Sequence, residues 1–331
     1  MAWTDDNLTS LQTHVLAEER EHPSATGDFT WILSAVALAA KSIGNKVRKA
    51  RIEDVIGALG DENVQGEQQQ KLDVIANEII KSCLGSRANI GALVSEEDET
   101  PTVLRTHEDG GRYAVLFDPL DGSSNLDVSV GVGTIFSIVR LSDEVKGTGE
   151  ARILDPRSLQ VAAGYVLYGS STVFVLTTGR GVNMFVLDQS IGAFVLVKSN
   201  LRIPPAKKIY SINEAYVDRF PDAYRNYLNW AHDNGYSSRY IGSMVADIHR
   251  TLLKGGVFIY PPTGDHMEGK LRYLYEAMPM SMLIEQAGGR SISAADTRLL
   301  DVDPTTLHQR IPVVMGSTDE VEHVNRFLSE S

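Results

Sequence analysis

The chain has 331 residues, of which 43% are hydrophobic and 22% charged, a balance that excludes extended disorder and fits a folded globular protein. Its 43 acidic residues outnumber 31 basic ones, and a net charge of -12 repels polyphosphate backbones, which argues against a nucleic-acid partner. A small phosphorylated ligand stays open, because a bound divalent cation inverts the local field.

The chain opens on an acidic, polar segment, MAWTDDNLTS, without the marks of a secretory or transit peptide. Leu8, Leu11, Val15 and Leu16 recur at helical spacing and predict a first short helix. A second begins near the capping residues Thr26 to Asp28 and runs to about Lys49. Its most apolar stretch, Trp31 to Ala40, is too short to span a bilayer. Residues 51 to 70 carry Gly57, Gly60 and Gly66 among acids and amides and read as a mobile segment. A third helix follows, with Leu72, Ile75, Ala76, Ile79 and Ile80 on one face. It contains Cys83, the one cysteine, which rules out an intramolecular disulfide and reads as a small buried residue. A single thiol and no leader point to the cytoplasm.

After Gly85 the period changes. Strands are predicted at Ile90 to Ser95, Tyr113 to Phe117, Val130 to Arg140, Ala162 to Tyr168, Thr172 to Thr177, Val182 to Leu187 and Ala193 to Val197. Beyond residue 200 strands and helices alternate. Strands are expected at Ile209 to Ile212, Val257 to Tyr260 and Ile311 to Gly316. Helices are expected at Pro221 to Asp233, Ser243 to Leu253, Pro279 to Ala287 and Asp319 to Leu328. The pattern predicts a layered α/β architecture with mixed sheets. The best boundary is the polar stretch Lys198 to Lys208, which separates 1–200 from 201–331 as two sub-domains.

The strongest local signal is Asp118-Pro119-Leu120-Asp121-Gly122-Ser123-Ser124-Asn125, after an apolar strand. Two carboxylates three residues apart, on a proline-and-glycine turn, can face one cavity and ligate a hard cation such as Mg²⁺. Gly122, Ser123 and Ser124 then offer backbone N–H groups and hydroxyls to a phosphate beside the metal. The same octapeptide also reads as an ordinary surface turn. Other acids raise the metal reading. Glu96-Glu97-Asp98-Glu99 ends another apolar strand, although it also reads as a solvated acidic loop. Asp73 lies among apolar neighbours on the third helix, and Glu276 sits between apolar stretches. Carboxylates are costly to bury unless paired or metal-bound, so one metal cluster explains these spots together. There is no P-loop, no dinucleotide fingerprint, no nucleophile elbow and no H-E-x-x-H. His249, on an apolar helix, reads as structural.

The segment Asp118 to Asn125 resembles the metal-binding motif of the lithium-sensitive phosphatase superfamily. Longer stretches select a branch. Asn63 to Gly66, Val94 to Asp98, Phe117 to Asn125, Gly133 to Phe136, Ala162 to Tyr165, Arg239 to Ser243, Gly269 to Arg272 and Tyr275-Glu276 resemble the fructose-1,6-bisphosphatase family. The likeness runs in order from about residue 23 to 328. It implies an α-β-α-β-α sandwich, the sugar phosphatase fold. It further implies Mg²⁺-dependent release of the 1-phosphate of fructose 1,6-bisphosphate, in gluconeogenesis. Glu96, Glu97, Asp118, Asp121 and Glu276, with the Leu120 carbonyl, would hold two or more Mg²⁺ ions, with Mn²⁺ or Zn²⁺ as alternatives. Glu67 stands where many members carry aspartate, in a dynamic loop that closes over the metals. Asp73 and Glu97 would complete water activation. Gly122, Ser123 and Ser124 would seat the 1-phosphate, with Arg272 near the metals. Asn213, Tyr216, Tyr240, Tyr260 and Lys270 would hold the 6-phosphate and sugar, joined by Arg239 from a neighbouring subunit of a homotetramer. Thr26, Gly27, Asp28, Thr30, Arg112, Tyr113 and Arg140 resemble the family's AMP site, with Asp28 and Arg112 departing from the usual glutamate and lysine. A sedoheptulose-1,7-bisphosphatase, a dual-specificity enzyme, a non-catalytic sugar-phosphate sensor and a broad inositol-type monophosphatase are the rival readings.

Overall fold

The computed structural model describes residues 8–20, 27–62, 68–145 and 149–330. Thr26 and Glu67 lie outside the described residues. Three helices come first: α1 (Leu11–Arg20), α2 (Asp28–Lys49) and α3 (Lys71–Gly85). Each forms where apolar residues recur every three or four positions. The segment expected to be mobile contains turns at 51–54 and an antiparallel pair, Ala58–Glu62 with Gln68–Gln70.

A large sheet follows, built from β1 (Ile90–Ser95), β2 (Thr102–Val103), β3 (Tyr113–Asp121), β4 (Val132–Arg140), β5 (Leu159–Tyr168), β6 (Thr172–Thr177), β7 (Asn183–Asp188) and β8 (Ala193–Lys198). Its order is β8-β7-β6-β5-β4-β3-β1-β2, and β1 with β3 is its one parallel pair. A second, mixed sheet comprises β9 (Ile209–Ser211), β10 (Ser237–Ser238), β11 (Val257–Tyr260), β12 (Arg290–Ala294), β13 (Thr297–Arg298) and β14 (Val313–Gly316). Its order is β10-β9-β11-β14-β12-β13. Four longer helices interleave with it: α4 (Asp222–Asp233), α5 (Met244–Lys254), α6 (Met278–Gln286) and α7 (Thr318–Ser329).

The pleat of each strand sends alternate residues to opposite faces, and this sorts the interior into three cores. Leu93, Val115 and Phe117 face α2 and α3, packing on Ile32, Val36 and Ile80. Their neighbours Val94, Ala114 and Leu116 face the other way, onto Val245, Ile248 and Leu283 of α5 and α6. That same core includes Phe258, Val313 and Met315 of the second sheet. Val257, Ile259 and Val314 point outward and pack on Tyr224, Leu228 and Val321 of α4 and α7. The layers are therefore α-β-α-β-α, as the resemblance implied. Burial of these faces drives the stacking, at roughly 25 cal/mol per Å² of apolar surface. Cys83 is half-buried against the first core rather than wholly enclosed.

His249 is structural, as expected. Its Nδ1 meets the Tyr165 hydroxyl at 2.8 Å where α5 crosses the large sheet. Burial lowers its pKa to about 4. An unfolded chain therefore binds this proton more readily, so stability is lost as pH falls from about 6.5 towards 4. The loss across that window is on the order of 3 kcal/mol. Urea unfolding at several pH values should show that His249→Gln lacks this component of the slope while other acid-sensitive contributions persist. Equal slopes for both proteins would refute it.

Candidate active site

Four carboxylates meet because β1 and β3 are parallel neighbours. Their C-terminal ends lie side by side, and the Glu96 N–H donates to the Phe117 carbonyl at 3.0 Å. Glu96 and Glu97 leave β1 there, next to Asp118 and Asp121 at the end of β3. The sequence reading ended the strand at Phe117 and placed the acids on a turn. The strand instead runs to Asp121 through a bulge, since Asp118 pairs with Ile135 but Asp121 with Gly133. Residues three apart on a regular strand face opposite sides. The extra residue at the bulge restores both carboxylates to one cavity. Gly122 then turns the chain at φ 72°, into a 3-10 helix, Ser123–Val128. A side chain at Gly122 would place its Cβ 2.6 Å from that of Ser243, so only glycine fits.

Asp121 is held by the start of α5. It accepts hydrogen bonds from the Ser243 hydroxyl at 2.6 Å and from the Met244 and Val245 N–H groups at 3.1 and 2.8 Å. Helix N-termini favour such anions. Asp118 accepts only a local bond, from the Leu120 N–H at 2.9 Å. Burial, Asp121, Glu96, Glu276 and Glu97 together push its pKa well above the usual carboxylate range. Burial also raises that of Asp121, but its three donors oppose the rise. Glu276 arrives from a π-helical turn, Tyr273–Ala277, just before α6, and accepts the Arg272 N–H at 2.6 Å. Carboxylate oxygens of Asp118, Asp121 and Glu276 lie within 4.8 Å of one another, a group able to hold a metal ion.

Arg272 is 2% exposed, unusual for a guanidinium. Its Nη1 donates to the Lys270 carbonyl at 3.0 Å and its Nε lies 3.7 Å from Glu96, while Nε and Nη2 make no hydrogen bond to the described residues. A short strand pair, Leu271–Arg272 with Arg310–Ile311, fixes it. The cavity over these groups is also lined by Leu120, Gly122 and Ser123.

A second cavity of about 400 Å³ is lined by Ser124, Asn213, Tyr216, Tyr240, Tyr260 and Lys270. It adjoins the first, since Tyr240, Gly242, Tyr260 and Lys270 line both. Its size suits a small molecule. Asn213 caps the 3-10 helix Glu214–Arg219, which carries Tyr216. Burial raises the Tyr240 pKa, so its phenol stays a neutral donor.

Two expected residues do not line these cavities. Asp73 is buried and accepts the Gln70 N–H at 2.9 Å, capping α3. Arg239 is exposed, its Nη1 donating to the Ser238 carbonyl at 2.6 Å. The residues likened to a nucleotide site lie elsewhere. Tyr113 and Arg140 are cross-strand partners at the other end of β3, and the adjacent Arg112 pairs with Asp143 at 2.9 Å. At the start of α2, after Gly27 and Asp28, the Thr30 N–H and hydroxyl donate to the Glu19 carboxylate at 3.0 and 2.7 Å.

Sequence reasoning missed Ser243 and Asp247. Ser243 was read as a helix start and as part of a family-like stretch but given no role in the site, although a serine cap is also a donor to a neighbouring anion. Asp247 accepts the Ser211 hydroxyl at 2.7 Å and the Ile241 and Gly242 N–H groups at 3.0 Å each, fixing the loop that carries Tyr240. An acid on an apolar helix face was its signal, the same one that marked Asp73.

Family models for the N-terminal and C-terminal domains of fructose-1-6-bisphosphatase match residues 9–199 and 203–329. A fructose-1,6-bisphosphatase class 1 from Chlorobium chlorochromatii (strain CaD3) is 47% identical over 329 residues, covering 97% of this chain and 98% of that one. The holo form of Leishmania major fructose-1,6-bisphosphatase superposes with a TM-score of 0.91 at 40% identity, covering 97% of this chain and 99% of that one. The T-state of the same protein gives 0.87 at 39% identity, covering 98% and 100%.

Crowded, buried carboxylates repel one another, and replacing one of them relieves this. Asp118→Asn is therefore expected to raise the melting temperature of EDTA-treated protein by a few degrees. The same change should abolish the rise that added Mg²⁺ produces in the unaltered chain. Scanning fluorimetry reads both; a metal-induced rise that persists in the variant would remove Asp118 from the metal site.

Proposed function

The chain belongs to the fructose-1,6-bisphosphatase family and hydrolyses fructose 1,6-bisphosphate to fructose 6-phosphate and inorganic phosphate, and we propose that its two adjoining cavities divide the substrate between them. The reacting 1-phosphate sits over the acids, against Gly122, Ser123 and Ser124. The sugar and 6-phosphate occupy the second cavity, with Asn213, Tyr216, Tyr240, Tyr260 and Lys270 as donors. The observation that carries this is the cluster of Asp118, Asp121 and Glu276 within 4.8 Å, with Glu96 and Glu97 beside it.

Such a donor set suits hard cations, and its mutual repulsion is relieved by them. Two or more Mg²⁺ ions, or Mn²⁺ or Zn²⁺, would be held by Glu96, Glu97, Asp118, Asp121 and Glu276 with the Leu120 carbonyl. When bound there, divalent cations lower the pKa of the attacking water and neutralise charge on the phosphoryl oxygens. The chain's own groups do the rest. Glu97, which lines the first cavity, accepts the proton of the attacking water, whereas Asp73 lines neither cavity and keeps a part in water activation only through the likeness to the family. The buried Arg272 guanidinium stabilises the negative charge of the transferring phosphoryl group. Ser243 and the first N–H groups of α5 orient Asp121 and favour its ionised form against the effect of burial.

Three further roles rest on the likeness to the family. Arg239, exposed in this chain, reaches the 6-phosphate of a neighbouring subunit in a homotetramer. Glu67 and its loop close over the metals. AMP binds at Thr26 to Thr30 with Arg112, Tyr113 and Arg140, and inhibits. Among the described residues no helix is long and apolar enough to cross a membrane. Cytoplasmic action is proposed on the ground of the single cysteine, which suits a reducing compartment.

Phosphate release from fructose 1,6-bisphosphate with millimolar Mg²⁺, with and without EDTA, tests the reading. Sedoheptulose 1,7-bisphosphate and inositol 1-phosphate serve as comparison substrates. The expected result is metal-dependent release, chiefly from the fructose compound, and loss of at least about 10³-fold in kcat for Asp121→Asn. Release that survives EDTA would contradict the metal assignment. Activity unchanged by millimolar AMP would end the inhibitory reading alone.

A further inference from the structure

Resting on that reading of the second cavity, we propose that Arg219 is a further binding residue for the distal phosphate, held in place by Asp265 until the phosphate displaces that carboxylate. Arg219 ends the 3-10 helix Glu214–Arg219, so the turn that carries Tyr216 into the cavity carries Arg219 as well. Both residues line it, as do Asp265 and His266 from the loop that follows β11. The guanidinium carbon lies 5.7 Å from the centre of the Tyr216 ring, over its face. Nη1 donates to Oδ2 of Asp265 at 2.9 Å.

Charge decides the role. A sugar phosphate carries close to two negative charges at neutral pH. Lys270 and Arg219 are the lysine and the arginine lining the second cavity. Lys270 also lines the cavity over the acids, whereas Arg219 lines the second cavity only. A dianion in the second cavity thus meets Lys270 and Arg219 from the chain that forms the cavity. Arg239, the other candidate for that charge, does not line the cavity in its own chain. Arginine suits the task, since its planar fork binds two phosphate oxygens at once.

The pairing with Asp265 is easily exchanged. The two side chains are 58% and 69% exposed, and ion pairs so open to water contribute little. A dianionic phosphate outcompetes a monoanionic carboxylate for the same guanidinium. The loop does not depend on the ion pair. The Gly264 N–H donates to the Arg219 carbonyl at 3.2 Å, and Thr263 and His266 form a backbone bridge. Asp265 can therefore release Arg219 by a side-chain rotation alone.

A purely structural ion pair would tie the loop to the 3-10 helix and affect all ligands alike. Arg219→Ala distinguishes the two. The expected result is a rise of about tenfold in the Kd of fructose 6-phosphate by calorimetry, which needs no turnover. KM for fructose 1,6-bisphosphate should rise by a similar factor with kcat within about twofold. KM for fructose 1-phosphate, which lacks the distal phosphate, should not change. Arg219→Lys should recover part of the loss. Asp265→Asn should leave the Kd of fructose 6-phosphate equal or lower, because it removes the competitor. The proposal is overturned if Arg219→Ala raises KM for both substrates alike or leaves the fructose 6-phosphate Kd unchanged. It is also overturned if Asp265→Asn weakens that ligand as much as Arg219→Ala does. Wild-type protein that binds fructose 6-phosphate through Arg219 but releases no phosphate from the bisphosphate would count against the functional reading and not against Arg219.

Discussion

The parallel pairing of β1 with β3 is the constraint on which the site depends. In a sheet whose other pairs are antiparallel, it makes two strands end together and delivers Glu96, Glu97, Asp118 and Asp121 to one place. Buried charges of one sign are unfavourable neighbours, and the surrounding chain is arranged to tolerate them. The start of α5 satisfies Asp121 with three donors. Arg272, almost fully enclosed, sets a positive charge against Glu96. What remains uncompensated is centred on Asp118, whose pKa burial and four neighbouring acids raise well above the usual carboxylate range. The bulge in β3 and the obligatory glycine at 122 are geometric consequences of bringing two aspartates from one strand to that point.

The sequence made some features legible and others not, for physical reasons. Long periodic helices such as α2 and apolar strands such as β1 and β6 carry their own signal and lie where expected. The four acids at the strand ends were visible because carboxylates abut apolar runs. The short strands β10, β12 and β13 were not predicted. Arg290–Ala294 reads Arg-Ser-Ile-Ser-Ala, and it becomes a strand because β14 pairs with it, which no local pattern reveals. The continuation of β3 through Pro119 was hidden by turn chemistry at Asp-Pro and Asp-Gly, which ordinarily ends a strand. The chain's likeness to a family, rather than spacing, pointed to Asn213, Tyr216, Tyr240, Tyr260 and Lys270. These residues come from separated segments, and their convergence depends on the second sheet. Arg219 and Asp265 escaped even that, being unremarkable surface residues until the fold sets them at one rim.

The two cavities belong to different parts of the fold. Strands of the large sheet carry most of the acids, while the second sheet and its loops carry most of the distal donors. On the proposed division of the substrate its two phosphates lie one in each cavity, so catalysis would depend on how firmly the two sheets are held. The core they share answers that need: Val94 and Leu116 from one sheet and Phe258 and Met315 from the other enclose α5 and α6. Both helices are also functional. The first turn of α5 grips Asp121, and Asp247 on the same helix grips the loop that carries Tyr240. The turn entering α6 carries Glu276. One helix therefore holds groups at both cavities, and a slip of α5 would shift Asp121 and the loop of Tyr240 together. An error near 1 Å in such an alignment can cost about 10²-fold in rate. Close packing in that middle layer is thus part of the catalytic apparatus, although none of its apolar residues meets the reacting atoms.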